Sequence, residues 1–290
     1  MTNKAFIPVD VLMCVGSKDV NYLMPYSLKS CISNFTLLND VVIVTSVKRE
    51  VLNILDQHKI RSRSGSITVL DDEEVVPASL MDFPPWCRQQ FIRLHADEIC
   101  ATPVVACLSA DTITYKPVTR EHLFTGSTPN LFYNRYPNTS KHLDYERGRV
   151  ENIARILQVR PENSWTLGDF IMDLTLFESK RLRQLRAYLK TLYGENPFHA
   201  ILPRDCEDMQ QKATFGEWTL YAVFLLDVLK IKMPIRNSRN KFIAQVHSAK
   251  EFAAFHFDAH VVHFVDKSFD VPQILARYKA NVAEQQASGY

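Results

Sequence analysis

The residue best placed to do chemistry is Asp111. It follows an apolar run, Pro103 to Leu108 (PVVACL), within Cys107-Leu108-Ser109-Ala110-Asp111-Thr112, after which polar and apolar residues alternate. A carboxylate at the end of a buried strand can coordinate Mg²⁺ or Mn²⁺, and such an ion neutralises the charge that builds on a departing diphosphate. An aspartate in that place also serves simply as a turn former or helix cap. Gln90 and Arg93 lie three apart, hence on one face of a helix. An arginine fork suits phosphate because it makes paired, charge-assisted hydrogen bonds. A polar helix side that merely meets water would read the same way. Asp169 and Asp173, in LGDFIMD, stand four apart and would form an acidic pair on one helix face, or a first-turn acid and a surface acid.

Other constellations are absent. The chain has no Gly-x-Ser-x-Gly elbow, no Gly-x-x-x-x-Gly-Lys loop and no Gly-x-Gly-x-x-Gly fingerprint. With only 8 glycines it lacks the backbone needed for ordinary dinucleotide or P-loop phosphate cradles.

The elements that must position these residues follow from periodicity. Val9 to Val15 (VDVLMCV), Val41 to Thr45 (VVIVT), Ile67 to Leu70 and Pro103 to Leu108 are short apolar runs that read as buried strands. Between them, Tyr22 to Phe35, Arg49 to His58 and Trp86 to Ile99 carry helical stripes. A β-α-β-α-β-α-β order implies a mostly parallel central sheet flanked by helices, with ligands at the carboxyl ends of the strands. The second half is less regular. Asn130 to Tyr133, His199 to Leu202 and Ala259 to Val265 read as strands; Thr166 to Tyr193 reads as one or two helices, and Trp218 to Leu229 as another.

The 290 residues carry 46% hydrophobic and 23% charged side chains, as expected of a chain that buries a core. Only the C-terminal AEQQASGY tail is expected to be disordered. No repeat, linker or low-complexity block divides the chain, so a single domain over 1–290 is expected, with a nucleotide-binding half (1–118) and an acceptor half (119–290). A net charge of +2 gives no argument for nucleic acid. The basic segment Lys180 to Arg186 reads as a solvated helix face, with peripheral contact to a membrane surface or an anionic acceptor as the alternative. The run Trp218 to Leu229 is too short to span a bilayer, and no signal-peptide pattern is recognised. The 6 cysteines form no Cys-x-x-Cys pair and read as reduced thiols of a cytoplasmic protein.

Three stretches resemble the GT-A glycosyltransferases. Leu108-Ser109-Ala110-Asp111-Thr112 looks like their DxD region. Pro85-Trp86-Cys87-Arg88-Gln89-Gln90-Phe91-Ile92-Arg93-Leu94 is similar to the Trp-x-x-Gln-Gln-x-x-Lys-Leu helix of a bacterial branch. Phe215-Gly216-Glu217-Trp218-Thr219-Leu220-Tyr221 resembles the Ser-Glu-x-x-x-Tyr helix of the same branch. The resemblance spans about residues 9 to 225 and implies a GT-A-like fold with a Rossmann-like N-terminal half. It further implies a hexosyltransferase-like enzyme that moves a sugar from a nucleoside-diphosphate sugar to a hydroxyl of a glycan or related acceptor, in bacterial surface polysaccharide synthesis.

It also implies roles for residues. Gly16, Ser17, Asp19, Asp71 and Asp72, after the first and third strands, would contact base or ribose, though the acidic run DDEE also fits a solvated loop. Gln90, Arg93, Ser109 and Ala110 would face the sugar or phosphates. Asp111 would hold Mn²⁺ or Mg²⁺, joined by His263, or by His260, from the C-terminal end of the domain. His263 fits equally a packed strand position. Glu217 would be the base that takes the acceptor proton, or a carboxylate at a helix N-terminus. Ser109 stands where the family has the first aspartate, which weakens the expected metal site. Two other functions fit the same residues: a sugar-nucleotide-binding protein without catalysis, and a nucleotidyltransferase, for which Gly16-Ser17-Lys18 is a short version of the loop required.

Overall fold

The structure is a computed structural model that describes residues 7–62, 65–135, 140–204, 214–237, 242–246, 251, 259–264 and 270–287. Four strands run parallel: β1 (Val9–Val15), β2 (Leu38–Thr45), β3 (Ile67–Asp71) and β4 (Val104–Leu108). A fifth strand, Leu174–Glu178, closes the sheet antiparallel to β4. The spatial order is Leu174–Glu178, β4, β1, β2, β3. The chain therefore winds from β1 outward through β2 to β3, then returns to place β4 on the other side of β1. That reversal makes the carboxyl ends of β1 and β4 the topological switch point, where open α/β sheets form their ligand crevice.

The apolar runs form strands because both faces of the sheet are covered. All seven residues of β1 are buried. Val11, Met13 and Val15 pack toward α2 (Met24–Asn34) and α3 (Lys48–Gln57), which follow the single turn α1 (Ser17–Val20). Leu12 and Cys14 face the opposite layer, built on α5 (Pro85–Leu94) after the short α4 (Asp72–Val75). Each aliphatic side chain so buried contributes about 1.5–3 kcal/mol. Asp10, buried within β1, is tolerated because four donors saturate it: the amides of Asp40, Ala101 and Thr102, and Asn39 Nδ2.

The helix expected over Trp86 to Ile99 breaks at His95, whose backbone leaves the helical range, giving α5 and a separate turn α6 (Ala96–Ile99). The second half departs further from the sequence reading. Thr166 to Tyr193 is not all helix: Gly168–Asp169 and Leu174–Glu178 are strands, and only α9 (Ser179–Tyr193) is helical. Leu174–Glu178 is strand because it can pair with β4 and bury its side chains there. Asp169 and Asp173 consequently share no helix face. The segment His199 to Leu202 is not a strand but lies on the turn α10 (Phe198–Ile201). The C-terminal tail is also corrected, since the helix Val271–Ala287 continues through Ala283–Ala287; residues 288–290 lie outside the described ones.

After β4 the chain forms β5 (Thr112–Thr114), then the turn α7 (Arg120–Leu123) and the long α8 (Ser140–Ile156). The strand Val261–Phe264 pairs antiparallel with β5 and parallel with Ile243–Val246. Val265 lies outside the described residues. Glu217–Val223 is α-helical and runs on as a π-helix over Phe224–Val228. Among the described residues no helix is long and apolar enough to cross a membrane.

Candidate functional site

The crevice is bounded on one side by the turn after β4. Ser109 N donates to the Asp173 carbonyl, and Thr112 N to the Ser109 carbonyl, so Ser109-Ala110-Asp111 makes a tight corner into β5. The Phe264 amide donates to the Asp111 carbonyl, and His263 pairs with Thr112 in the β5 register. These backbone contacts bring His263 onto Asp111, with Nε2 3.2 Å from Oδ1. On its other side His263 Nδ1 stands 3.0 Å from Asp173 Oδ1, an ion-pair contact whose angle is poor for a hydrogen bond. Gln245 Nε2 donates to the second Asp173 oxygen at 3.0 Å. Burial alone would push the imidazole down, but Asp173 and Asp111 outweigh it and raise His263 to about 10. His263 is therefore an imidazolium held between two carboxylates.

The Asp111–His263 pair has the spacing of two ligands on one divalent cation. Two ligand atoms that share one Mg²⁺ or Mn²⁺ at right angles stand about 3 Å apart, close to the Asp111–His263 separation. Exchange of the proton for a cation would require the ring or the carboxylate to turn, with Asp173 behind the ring as the orienting carboxylate. Among the described residues no group of three His, Cys, Asp or Glu could hold a metal by itself. The remaining ligands would have to be phosphate oxygens and water, which is how Mg²⁺ is commonly bound. His260 is not part of this cluster. It contacts the Pro117 carbonyl at 2.8 Å, and its ring lies 4.1 Å from that of His122.

The other side of the crevice is the turn after β1. Gly16 packs closely there: a Cβ on it would lie 3.3 Å from Asp19 Oδ2 and 3.9 Å from Gln89 Nε2. Ser17 is exposed beside it. A shallow depression of about 30 Å³, bounded by Gly16, Thr45, Ser46, Asp72, Arg88 and Gln89, has room for a water-sized group and not for a base. Asp71 caps α4 by accepting from the Glu73 amide, and Asp72 accepts from Arg88 Nε at 3.0 Å. Arg88 also donates to the Met81 and Phe83 carbonyls, so Asp72 and Arg88 tie the loop after β3 to α5.

Gln90, Arg93 and Glu217 do meet, but between α5 and the helix Glu217–Val223. The polar face of α5 packs on the helix Glu217–Val223 instead of facing water. Arg93 Nη1 is 2.5 Å from Glu217 Oε1, with side-chain exposures of 11% and 3%. The Glu217 amide donates to Gln90 Oε1 at 3.1 Å, and the Arg93 cation lies 5.0 Å from the Trp218 ring centroid. Gln90 Nε2 and Trp218 Nε1 are buried donors without a hydrogen-bond partner. Desolvation opposes the Arg93 charge, but Glu217 more than offsets it and raises the guanidinium further. Burial raises the nearby Cys14 thiol to about 11 and pushes Cys107 up as well, so neither is a thiolate nucleophile. Asp169 pairs with Arg149 at 2.6 Å, and burial still pushes its carboxyl up despite that arginine.

The sequence-level candidates thus fall into separate places. Asp111 and His263 converge, with Ser109 and Ala110 forming the corner between them and β4. Gly16, Ser17 and Asp19 stand across the crevice. Asp72 lines the small depression beside Gly16 and is engaged by Arg88, while Gln90, Arg93 and Glu217 are engaged in packing contacts between α5 and the helix Glu217–Val223. Asp173 behind His263 and Gln245 behind Asp173 were not foreseen in these roles, since nothing local in LGDFIMD or FIAQV points to a partner so distant in the chain.

A family model described as a family of unknown function, DUF6492, matches residues 22–276. No curated protein matches the chain.

Proposed function

Since the chain belongs to the DUF6492 family, whose function is unknown, the site has to carry the assignment, and we propose a GT-A-type glycosyltransferase that moves a sugar from a nucleoside-diphosphate donor to a hydroxyl acceptor. The observation that carries this reading is the Asp111–His263 pair at the topological switch point of a parallel sheet. Mg²⁺ or Mn²⁺ bound there would neutralise the diphosphate as it leaves. The chain's own contribution is placement. Asp111 and His263 would hold the cation, Asp173 would keep the His263 ring turned toward Asp111, and Gly16 lets the donor backbone pass close to β1. Thr45 and Ser46, at the end of β2, line the same side.

For Glu217 we propose a part different from the base that the resemblance implies. Its carboxylate is enclosed and engaged with Arg93, so it fixes α5 against the helix Glu217–Val223 and does not receive the acceptor proton. That enclosure, with Ser109 in place of a first aspartate, also favours a second reading, a protein that binds the sugar nucleotide without transferring it. Incubation with radiolabelled nucleotide sugars, Mn²⁺ and a panel of mono- and disaccharide acceptors separates the two. Release of nucleoside diphosphate that is lost in Asp111→Asn supports transfer. Donor binding without release supports the binding protein, and neither binding nor release removes both.

A further inference from the structure

A larger cavity lies on the same side of the sheet but away from the crevice. It holds about 400 Å³ between the loop after β3, α5, α9 and the turn α10, within the range of small-molecule sites. Its floor is apolar, formed by Leu80, Phe91 and Phe198. Gln89, in the crevice, and His95, in this cavity, are separated by about 9 Å along α5 at 1.5 Å per residue.

His95 gives the floor one fixed polar atom. Its ring stacks on Phe91 at 3.8 Å between centroids, and Nδ1 meets the Phe91 carbonyl at 2.9 Å. A carbonyl only accepts, so Nδ1 carries the proton and Nε2 is left as an acceptor. Burial holds the ring neutral, pushing it down to about 4. The mouth carries both signs. Arg183 and Glu98 are exposed there, and Lys190 pairs with Glu195 at 3.0 Å, so donors and acceptors sit side by side on the rim. The Arg186 guanidinium is taken up by Asp97, Glu98 and the Leu94 carbonyl, and Asp97 also binds Arg183. An anion gains little from a mouth so balanced, and a purely apolar ligand would leave His95 Nε2 unmatched.

We propose that this cavity binds a neutral saccharide unit, with sugar hydroxyls on His95 Nε2 and the charged rim, and C–H faces on Leu80, Phe91 and Phe198. Each sugar hydroxyl both donates and accepts, which matches a rim of alternating donors and acceptors over an apolar floor. Binding is independent of the transferase reading; only the further role of holding the acceptor glycan rests on it.

The test is saturation-transfer difference NMR on the full chain with maltose, cellobiose, lactose and N,N′-diacetylchitobiose. The expected result is saturation transfer to at least one disaccharide, weakened at least fivefold in Ala187→Trp, which fills the mouth from an exposed position on α9. His95→Phe, which keeps the stack and removes the acceptor, is expected to weaken it similarly. The signal persists in Asp111→Asn, because the crevice is a separate site. No saturation transfer from any disaccharide, or a signal untouched by both cavity variants, overturns the proposal. A signal lost in Asp111→Asn alone does so too, because it places the sugar in the crevice. Nucleotide binding is read separately by thermal shift, so failure of one claim is not mistaken for failure of the other.

Discussion

Arg93 and Glu217, 124 residues apart in the chain, meet in a buried ion pair at 2.5 Å with Trp218 stacked over the guanidinium. This contact joins α5 to the second half of the molecule. Its removal therefore acts on stability first. Glu217→Ala or Arg93→Ala leaves a buried charge without its partner, and each is expected to cost about 3–5 kcal/mol, read by urea denaturation. The double variant Arg93→Met with Glu217→Leu should cost less than either single change. If Glu217→Gln instead abolishes transfer at wild-type stability, with an altered pH profile, Glu217 is the base and its placement as a packing residue is wrong.

The legible part of the fold is the part written in local pattern. The strands β1 to β4 are mostly apolar runs, and such runs are visible without knowledge of their partners. Leu174–Glu178 was hidden because LTLFE borders a strongly helical segment, and only its pairing with β4 makes it a strand. The polar residues of α5 were read as facing a ligand because periodicity identifies a face, not what lies against it. Asp111 was legible as a carboxylate ending a strand. Its contact with His263 depends on the register between β5 and Val261–Phe264, which no local spacing encodes.

The carboxylate behind His263 should matter to metal affinity without touching the metal. Asp173→Asn keeps the shape and weakens the orientation of the ring, and a loss of Mn²⁺ affinity of roughly 10–100-fold is expected. Mn²⁺ titration followed by calorimetry in the presence of nucleotide reads this directly. Unchanged affinity would mean that Asp173 serves packing only.

His95 predicts a pH dependence of stability. Its folded value near 4 lies below the ordinary 6.5, so between about 6.5 and 4 the unfolded chain binds the proton and the folded chain does not. Stability contributed by the neutral ring is fully present above 6.5 and declines as pH falls through that window, by on the order of 3 kcal/mol. Chemical denaturation from pH 7.5 to 4.5 should show a shallower slope in His95→Phe than in the wild type. Equal slopes would show that His95 titrates normally in the folded protein.

Gly16 tests the β1 side of the crevice. Its φ of −85° suits any residue, so the constraint is space: an added Cβ must displace the Asp19 carboxylate 3.3 Å away. Gly16→Ala is expected to change stability by less than about 1 kcal/mol. Nucleotide affinity should fall severalfold, as measured by calorimetry. An unchanged affinity would place the nucleotide elsewhere.

Asp111 and His263 are proposed to form a cation-dependent diphosphate site. The most direct test is a thermal-shift screen of nucleoside diphosphates and nucleotide sugars, each with and without Mn²⁺, on wild type and Asp111→Asn. A ligand that binds only the folded state adds about 2.7 kcal/mol at a hundredfold excess over its Kd. One nucleotide is expected to raise the melting temperature with Mn²⁺, chelation by EDTA to remove the shift, and Asp111→Asn never to show it. A shift of equal size without Mn²⁺ and in Asp111→Asn, or no shift with any nucleotide from folded protein, would contradict this assignment.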